Sequence, residues 1–419
     1  MSPLQRGSPS SRSPLRRPEN ITHQTMKTSK PNAAKASSSS NSIGNPRLRF
    51  VGPAFVTAAI LGALAGCGTA PPPPAPPAAP AVSSPGGSRW VAVGFDQLPG
   101  WSADRTAEVW PALLKGCARP VAAWAALCTE ARLAPPGDDA ATRQWLAQRL
   151  QPYRVEAADG NAEGLLTGYY EPLVEASRTR RGAWQVPLHA PPADLGLRKP
   201  YWTRQQLDTL PAAQAALRGR EIAYVADPLD ALVLQIQGSG RLLLKGGDGR
   251  VQTVRLAYAG HNDQPYASVG RWLIQQGELK PDGANWPAIK DWAKRNPKRV
   301  QQMLWANPRV VFFREEPLPD PSVGPRGAMG VPLTPGRSIA VDPRSVPYGT
   351  PVWLDSTEPL SSTALQRLVL AQDTGSAITG AVRADYFWGW ADGAEAQAGR
   401  MKQSLRMWVL WPKAAAMAR

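Results

Sequence analysis

Apolar and polar positions divide the chain into stretches of different texture. Val51 to Gly66 (VGPAFVTAAILGALAG) is an uncharged, mostly apolar run behind Arg47 and Arg49, and Gly68 to Ser88 is dominated by Pro, with PPPPAPPAAP at Pro71 to Pro80. From Trp90 to about Gln151 apolar residues recur at helical spacing. Asp138 or Asp139 can cap a run carrying Trp145, Leu146 and Leu150. From Leu165 the apolar runs shorten and are broken by Gly and Pro. LLTGYYEPLVEA (165–176), WQVPLH (184–189), EIAYVA (221–226), ALVLQIQGSGRLLL (231–244) and VQTVRLAYAG (251–260) read as strands joined by turns. Helices intervene: Thr203-x-x-Gln206 is a capping box, and Ala267–Gln276 and Trp286–Trp305 carry helical patterns. The end returns to strands at RVVFFRE (309–315), SIAVD (338–342), TPVWLD (350–355), RLVLAQDTG (367–375) and MWVLWP (407–412). Many short strands with few helices favour barrels over a doubly wound sheet.

Composition narrows the function. A chain of 419 residues suggests two or three domains, and 43% apolar with 19% charged residues excludes a wholly disordered chain or a multi-pass membrane protein. Half of the net charge of +16 sits in residues 1–50, which hold nine Lys/Arg and one acid, Glu19. The rest is spread thinly with no dense basic block. That pattern fits an anionic polymer or surface as partner, and no motif for reading nucleic acid is present. Only His23, His189 and His261 exist, beside three Cys. A Ser-His-Asp hydrolase, a Cys-His protease or a His-rich zinc site has little to draw on, so carboxylates are the expected workers.

The apolar run 51–66 has a basic flank, is short for a membrane span and ends in small residues, as a secretory signal does. Its ending, Leu64-Ala65-Gly66-Cys67, resembles a bacterial lipobox, which implies that Cys67 is lipidated and becomes the N-terminus. Gly68 in place of an Asp favours, by the same resemblance, the periplasmic face of the outer membrane. The Pro-rich stretch 67–88 is then a semi-rigid tether reaching on the order of 60 Å at about 3.1 Å per residue. Export also permits a disulfide between Cys117 and Cys128, eleven residues apart; two buried free thiols are the alternative.

Three Asp-centred segments stand out near the end: Asp342 in SIAVDPRSVPYGT (338–350), Asp373 in AQDTG (371–375) and Asp385 in RADYFWG (383–389). A carboxylate just past a strand end, beside Gly and Thr, can be held by backbone N–H groups. Tyr386, Phe387 and Trp388 give Asp385 apolar company, which raises a carboxyl pKa and suits a general acid in glycoside cleavage. The alternative for any single Asp is a turn cap. All sixteen Trp follow Cys67. Most are expected to fill cores, but indoles also stack on sugar faces, and Trp388 and Trp390 are the candidates for that role.

Seven ordered segments together resemble the family of membrane-bound lytic murein transglycosylase A. They are LLTGYYEP (165–172), LVLQIQGSGRL (232–242), YAGHNDQPYASVGRWLI (258–274), NPRVVFF (307–313), PGRSIAVDPRSVPYGTPV (335–352), AQDTGSAITGAVRADYFWG (371–389) and WVLWP (408–412). The resemblance implies a mainly β protein with flanking helices. A double-psi β-barrel would be built from 89–173 and 314–419, with the three-aspartate segment at 335–412, and a smaller β-barrel domain inserted at 174–313. A groove would lie between them. It implies cleavage of the MurNAc–GlcNAc β-1,4 bond of peptidoglycan without water, leaving a 1,6-anhydro-MurNAc end, with Asp385 as catalytic acid and no metal or organic cofactor. Asp373 and Asp342 would stabilise positive charge or hold the loop of Asp385. Thr167, Gly168, Tyr169, Gln237, Gly238, Ser239, Gly240, Thr374 and Trp388 are the expected substrate-binding residues. Glycan strands, outer-membrane lipid and other cell-wall enzymes are the expected partners, while endolytic or exolytic action stays open. A hydrolase with Asp373 or Asp342 as base, and a wall-binding lipoprotein without activity, are the competing readings.

Overall fold

In Ala364–Asp373 apolar residues follow one another without alternation, because both faces of that strand are covered. Val369 and Ala371 enter one hydrophobic cluster, and Leu368 and Leu370 enter another. Its neighbour Pro351–Thr357 does the same, with Val352 and Leu354 on one side and Trp353 on the other. Strands buried on both faces read as continuous apolar runs. The computed structural model describes residues 82–83, 87–246 and 249–416; the expected signal region, Cys67 and nearly all of the tether lie outside the described residues.

Both strands belong to a nine-stranded sheet. Its order is Val82–Ser83, Arg89–Ala92, Leu150–Glu156, Lys402–Pro412, Pro351–Thr357, Ala364–Asp373, Ser338–Val341, Arg383–Phe387, Gly164–Tyr169. Six of these strands return on themselves. Lys402–Pro412 pairs with Pro351–Thr357 through Arg406 to Val409 and with Gly164–Tyr169 through Lys402 to Leu405. Two pairs in this ring are parallel, Ser338–Val341 with Ala364–Asp373 and Arg383–Phe387 with Gly164–Tyr169. Leu166, Ile339, Val341, Ala384, Tyr386, Leu405 and Val409 are buried together on its inner side.

A helical layer covers the other side of Pro351–Thr357, Ala364–Asp373 and Lys402–Pro412. Trp110 and Leu113 of the helix Trp110–Gly116, and Trp145 and Leu146 of Asp139–Arg149, pack on Trp353, Leu368, Trp408 and Leu410. Asp138 is the cap, accepting from the Ala141 N–H at 2.8 Å. The segment expected to be helical from Trp90 to Gln151 begins with the strand Arg89–Ala92 and hands over at Leu150 to another. Arg337 locks this layer to the sheet through a buried ion pair with Asp104 at 2.9 Å, and Asp104 also accepts from the Leu368 N–H.

Cys117 and Cys128 are joined, tying the end of one helix of this layer to the helix Ala125–Leu133 across an eleven-residue separation. A loop of that length removes about 2–3 kcal/mol of unfolded-state entropy. The Cys117→Ala/Cys128→Ala protein is therefore expected to lose about that much unfolding free energy and to unfold at a lower denaturant concentration, with a slope equal to or steeper than the parent's because its unfolded state is less constrained. A midpoint equal to the parent's would overturn this.

A second sheet has the order Val311–Pro317, Val251–His261, Gly240–Lys245, Leu173–Ala176, and Val186–His189 pairs with Glu221–Val225 beside it. Strands at both of its ends cross the boundaries expected at 173/174 and 313/314. The stretch 231–244, expected to be strand throughout, is a helix over Pro228–Gln237 before the strand Gly240–Lys245 begins. Asp227 caps the helix by accepting from Leu229 N–H, Pro228 fits its first turn, and Gly238 ends it at φ 78°. Leu229 and Leu232 face one apolar cluster and Ala231 and Leu234 another, so the helix is apolar on several sides and shows no 3.6-residue period. Likewise Trp286–Trp305 is not one helix but Trp286–Arg295 and Val300–Trp305, broken at Asn296-Pro297. The capping box at Thr203 and Gln206 forms as expected. No helix among the described residues is long and apolar enough to cross a membrane.

Candidate active site

One residue of the ring organises the site. Ala340 is paired with Asp373 on one side, through a parallel strand, and with Asp385 on the other, through an antiparallel one. Successive strands lie about 4.8 Å apart, so the two Asp backbones stand roughly 10 Å from one another. Beyond Asp385 comes Thr167, its partner in the parallel strand Gly164–Tyr169. Side chains two apart on a strand share a face, so Thr167 and Tyr169 both look toward the acids, and Gly168 looks away.

The two acids have different hydrogen-bond partners. Asp385 receives one bond, from the Thr167 hydroxyl to Oδ1 at 2.6 Å. Arg383 donates through Nη2 to the same Thr167 oxygen at 2.9 Å. Asp373 receives three: Ala328 N–H and Thr374 N–H to Oδ1 at 2.8 and 2.9 Å, and Tyr169 O–H to Oδ2 at 3.0 Å. Both carboxyls keep some contact with solvent but are ringed by protein. Burial raises the Asp385 pKa, opposed by the Thr167 bond and the nearby Arg383 charge. Burial also pushes Asp373 up to about 6, against its two backbone bonds and Tyr169, with the Asp385 charge adding to the rise. Tyr169 keeps its proton, because burial and the two carboxylates raise its pKa well above the usual value.

The acids open into one continuous cleft. A compartment of about 950 Å³ is lined by Tyr169, Gln237, Gly238, Ser239, Asp373 and Thr374, among others. An adjoining one of about 210 Å³ is lined by Thr167, Arg383 and Asp385. Gln235, Ile236, Arg309, Val311, Gly375 and Ser376 belong to both walls. The helix end at Gln237–Gly238 thus reaches the cleft, and the Gln237 side chain also accepts from Tyr170 N–H at 3.0 Å.

Other expected site residues lie elsewhere. A Cβ on Gly168 would meet Trp388 and Ala398 at under 3 Å, so Gly168 backs onto the core and does not line the cleft. A Cβ on Gly240 would strike Leu234, and that glycine serves packing as well. Trp388 lines neither compartment: its ring lies edge-on to Tyr386 at 5.0 Å and its Nε1 faces Met401 Sδ. Trp390 lies beneath the Arg241 guanidinium, 4.1 Å from it. Asp342 is turned from the cleft into an ion pair with Arg344 at 2.8 Å and a bond from Gly380 N–H at 2.9 Å. Bonding to Arg344 holds its pKa below the usual carboxylate value. Asp342 therefore fixes the loop leading to the Asp385 strand. Asp385 itself sits within its strand and not on a turn.

Sequence reasoning did not single out Arg383, Arg309 or the loop Gly327–Gly330. Arg383 had a signal, lying two residues before Asp385 and so on the same strand face. The loop had none, because it acts through the Ala328 backbone N–H.

Comparisons with known proteins place the chain among its relatives. Residues 165–314 match the family model described as the MltA specific insert domain, and residues 337–411 match the 3D domain. Membrane-bound lytic murein transglycosylase A of Escherichia coli K12 is 32% identical over 277 residues, covering 64% of this chain and 71% of that protein. Among solved structures, the lytic transglycosylase LtgG of Burkholderia pseudomallei is 46% identical, with 80% of this chain and 99% of that one covered and a TM-score of 0.55. MltA from Neisseria gonorrhoeae is 30% identical, with 82% and 97% covered and a TM-score of 0.68. Escherichia coli MltA with bound chitohexaose is 26% identical, with 79% and 93% covered and a TM-score of 0.56. With its ring, its second sheet and the cleft holding Asp373 and Asp385, the chain belongs to the membrane-bound lytic murein transglycosylase A family and is a peptidoglycan lytic transglycosylase.

Proposed function

We propose that the chain cleaves the β-1,4 bond between MurNAc and GlcNAc without water and leaves a 1,6-anhydro-MurNAc end, with Asp385 as both acid and base. Thr167 has one hydroxyl proton. Because its oxygen accepts from Arg383, that proton is committed to Asp385 Oδ1. The acidic proton of Asp385 then resides on Oδ2. Oδ2 gives it to the glycosidic oxygen as the bond to C1 breaks, and GlcNAc departs as an alcohol. The C6 hydroxyl of the same MurNAc attacks C1 and returns its proton to Asp385. No water is consumed, and the nucleophile gains the proximity of an intramolecular group. Asp373, ionised and fixed, stabilises the positive charge building at C1.

One observation carries this reading against hydrolysis. Three donors occupy most of the acceptor sites of Asp373, two on Oδ1 and one on Oδ2, so a water activated there as by an inverting base would have a single Oδ2 site to bind. Mass spectrometry of digested peptidoglycan is the test. Products one water lighter than hydrolysis gives are expected, and reducing MurNAc ends would reject the reading.

The pH profile checks the roles. The acid form of Asp385 is needed, so kcat/KM falls as pH rises through its raised pKa. Arg383 opposes that rise. Arg383→Leu removes the cation and is expected to move the alkaline limb to higher pH; Asp373→Asn removes an anion and moves it to lower pH. Limbs that stay in place would show that neither charge acts on the proton donor.

The six-stranded ring with its two parallel pairs supports a double-psi β-barrel. The lipobox-like Leu64–Cys67 supports anchoring through lipidated Cys67, with the Pro-rich tether carrying the enzyme from the outer membrane to the wall.

A further inference from the structure

The larger compartment of the cleft carries a charge that a neutral sugar backbone does not call for. Arg119, Arg309, Arg314 and Arg326 line it, against one carboxylate, Asp373. Among the described residues, only Arg314 of these arginines is in an ion pair. Arg314 pairs with Glu316 at 2.6 Å and also donates to the Tyr258 carbonyl, while Arg326 donates to the Gly330 carbonyl at 3.1 Å. Arg309 differs. It lines both compartments, so it stands where the space beside Asp373 joins the space beside Asp385. It is half-buried, donates through Nη1 to the Gln264 carbonyl at 3.1 Å, and forms no ion pair among the described residues. Asp263, the carboxylate in its electrostatic surroundings, is shared with His261 at 3.2 Å and Lys199 at 3.8 Å. Burial lowers the Arg309 pKa, yet a guanidinium stays charged. A half-buried cation whose neighbouring carboxylate is shared with two other groups gains from an anion that a ligand provides.

Along a strand of alternating GlcNAc and MurNAc, acid groups occur only on the lactyl arm of MurNAc. That arm ends in a carboxylate, or continues through an amide into a peptide that bears carboxylates. We propose that Arg309 forms a carboxylate subsite for this acidic arm. The inference rests on the reading of the cleft as a peptidoglycan cleft. The bond to Gln264 fixes the guanidinium plane, leaving its other N–H groups for a planar carboxylate. Because the arm occurs on every second sugar, the contact also sets register. A strand displaced by one sugar brings GlcNAc to Arg309 and loses the contact.

The test uses the full chain in detergent, with Asp385→Asn to stop turnover. Equilibrium binding is measured for an N-acetylglucosamine hexamer, for peptide-free glycan strands and for peptide-bearing strands. Arg309→Gln is expected to lower the affinity for anionic strands relative to the hexamer about tenfold, with Arg309→Lys in between. A loss on peptide-free strands assigns the lactyl carboxylate; a loss confined to peptide-bearing strands assigns a stem-peptide carboxylate. Equal weakening of all three ligands, or none, overturns the proposal. Should Arg309→Gln melt early, salt decides: without the Arg309 change, added salt must weaken anionic strands more than the hexamer, and equal slopes overturn the subsite. Failure of the peptidoglycan reading is seen separately, as glycan strands left uncut by the protein with Asp385 intact.

Discussion

Asp385→Asn is expected to lower the cleavage rate at least about a thousandfold, with the fold and the binding of a neutral glycan retained. The substitution keeps the shape of the side chain, and the Thr167 hydroxyl can donate to the amide oxygen as it does to Oδ1. What is lost is a transferable proton. General acid–base catalysis contributes about 10²–10⁴ in rate. In the proposed mechanism one group protonates the leaving oxygen and then takes the proton of the C6 hydroxyl, so both steps would fail together, which places the expected loss in the upper part of that range. Single-turnover rates on purified strands, beside hexamer affinity and near-ultraviolet circular dichroism, are the measurements. A residual rate within tenfold of the parent would remove Asp385 as the acid and direct attention to Asp373. Asp373→Asn should lose less, because it removes a stabilising charge but no transferred proton.

The position of the acids in sequence was informative because each closes or occupies a short apolar strand with few polar residues around it. Asp373 ends Ala364–Asp373, and Asp385 lies between the buried Ala384 and Tyr386. Their juxtaposition was not legible, since it comes from pairing on both sides of Ala340, a residue with no chemistry of its own. Local pattern also misplaced the helix Pro228–Gln237. Its apolar positions face several clusters, so the turn-forming Asp227-Pro228 and Gly238 were the only local marks of a helix. Trp388 is placed outside both compartments. Closeness in sequence to Asp385 suggested a sugar platform, but three positions along a strand and its turn carry a side chain to a different face. The Ala328 N–H that holds Asp373 was invisible because a backbone donor can belong to any residue but Pro.

Glu171→Gln is expected to destabilise the protein by about 3–5 kcal/mol, the largest effect on stability of any single substitution considered. The Glu171 side chain is fully buried. Arg241 donates to it through Nε at 2.8 Å, and Arg255 donates through Nε at 2.6 Å. Its own N–H donates to the Gly389 carbonyl, just beyond the strand of Asp385. Arg241 reaches further, to the Pro321 and Val323 carbonyls at 2.8 and 3.2 Å. The carboxylate therefore joins the strand of Thr167 and Tyr169 to the smaller sheet and to the chain entering the loop of Ala328. Glutamine removes the negative charge and leaves two guanidinium groups buried without a counter-ion, whereas burial of the intact group is compensated. An apparent melting temperature lower by about 10 °C is expected. Because Ala328 holds Asp373, kcat should also fall at temperatures where the variant is still folded. Replacing the set together, by Glu171→Leu with Arg241→Met and Arg255→Leu, should recover most of the stability, because apolar groups of similar size need no partner. If Glu171→Gln melts within about 2 °C of the parent, the triad is not what holds the smaller sheet to the ring, and the alignment of the cleft walls rests on packing alone.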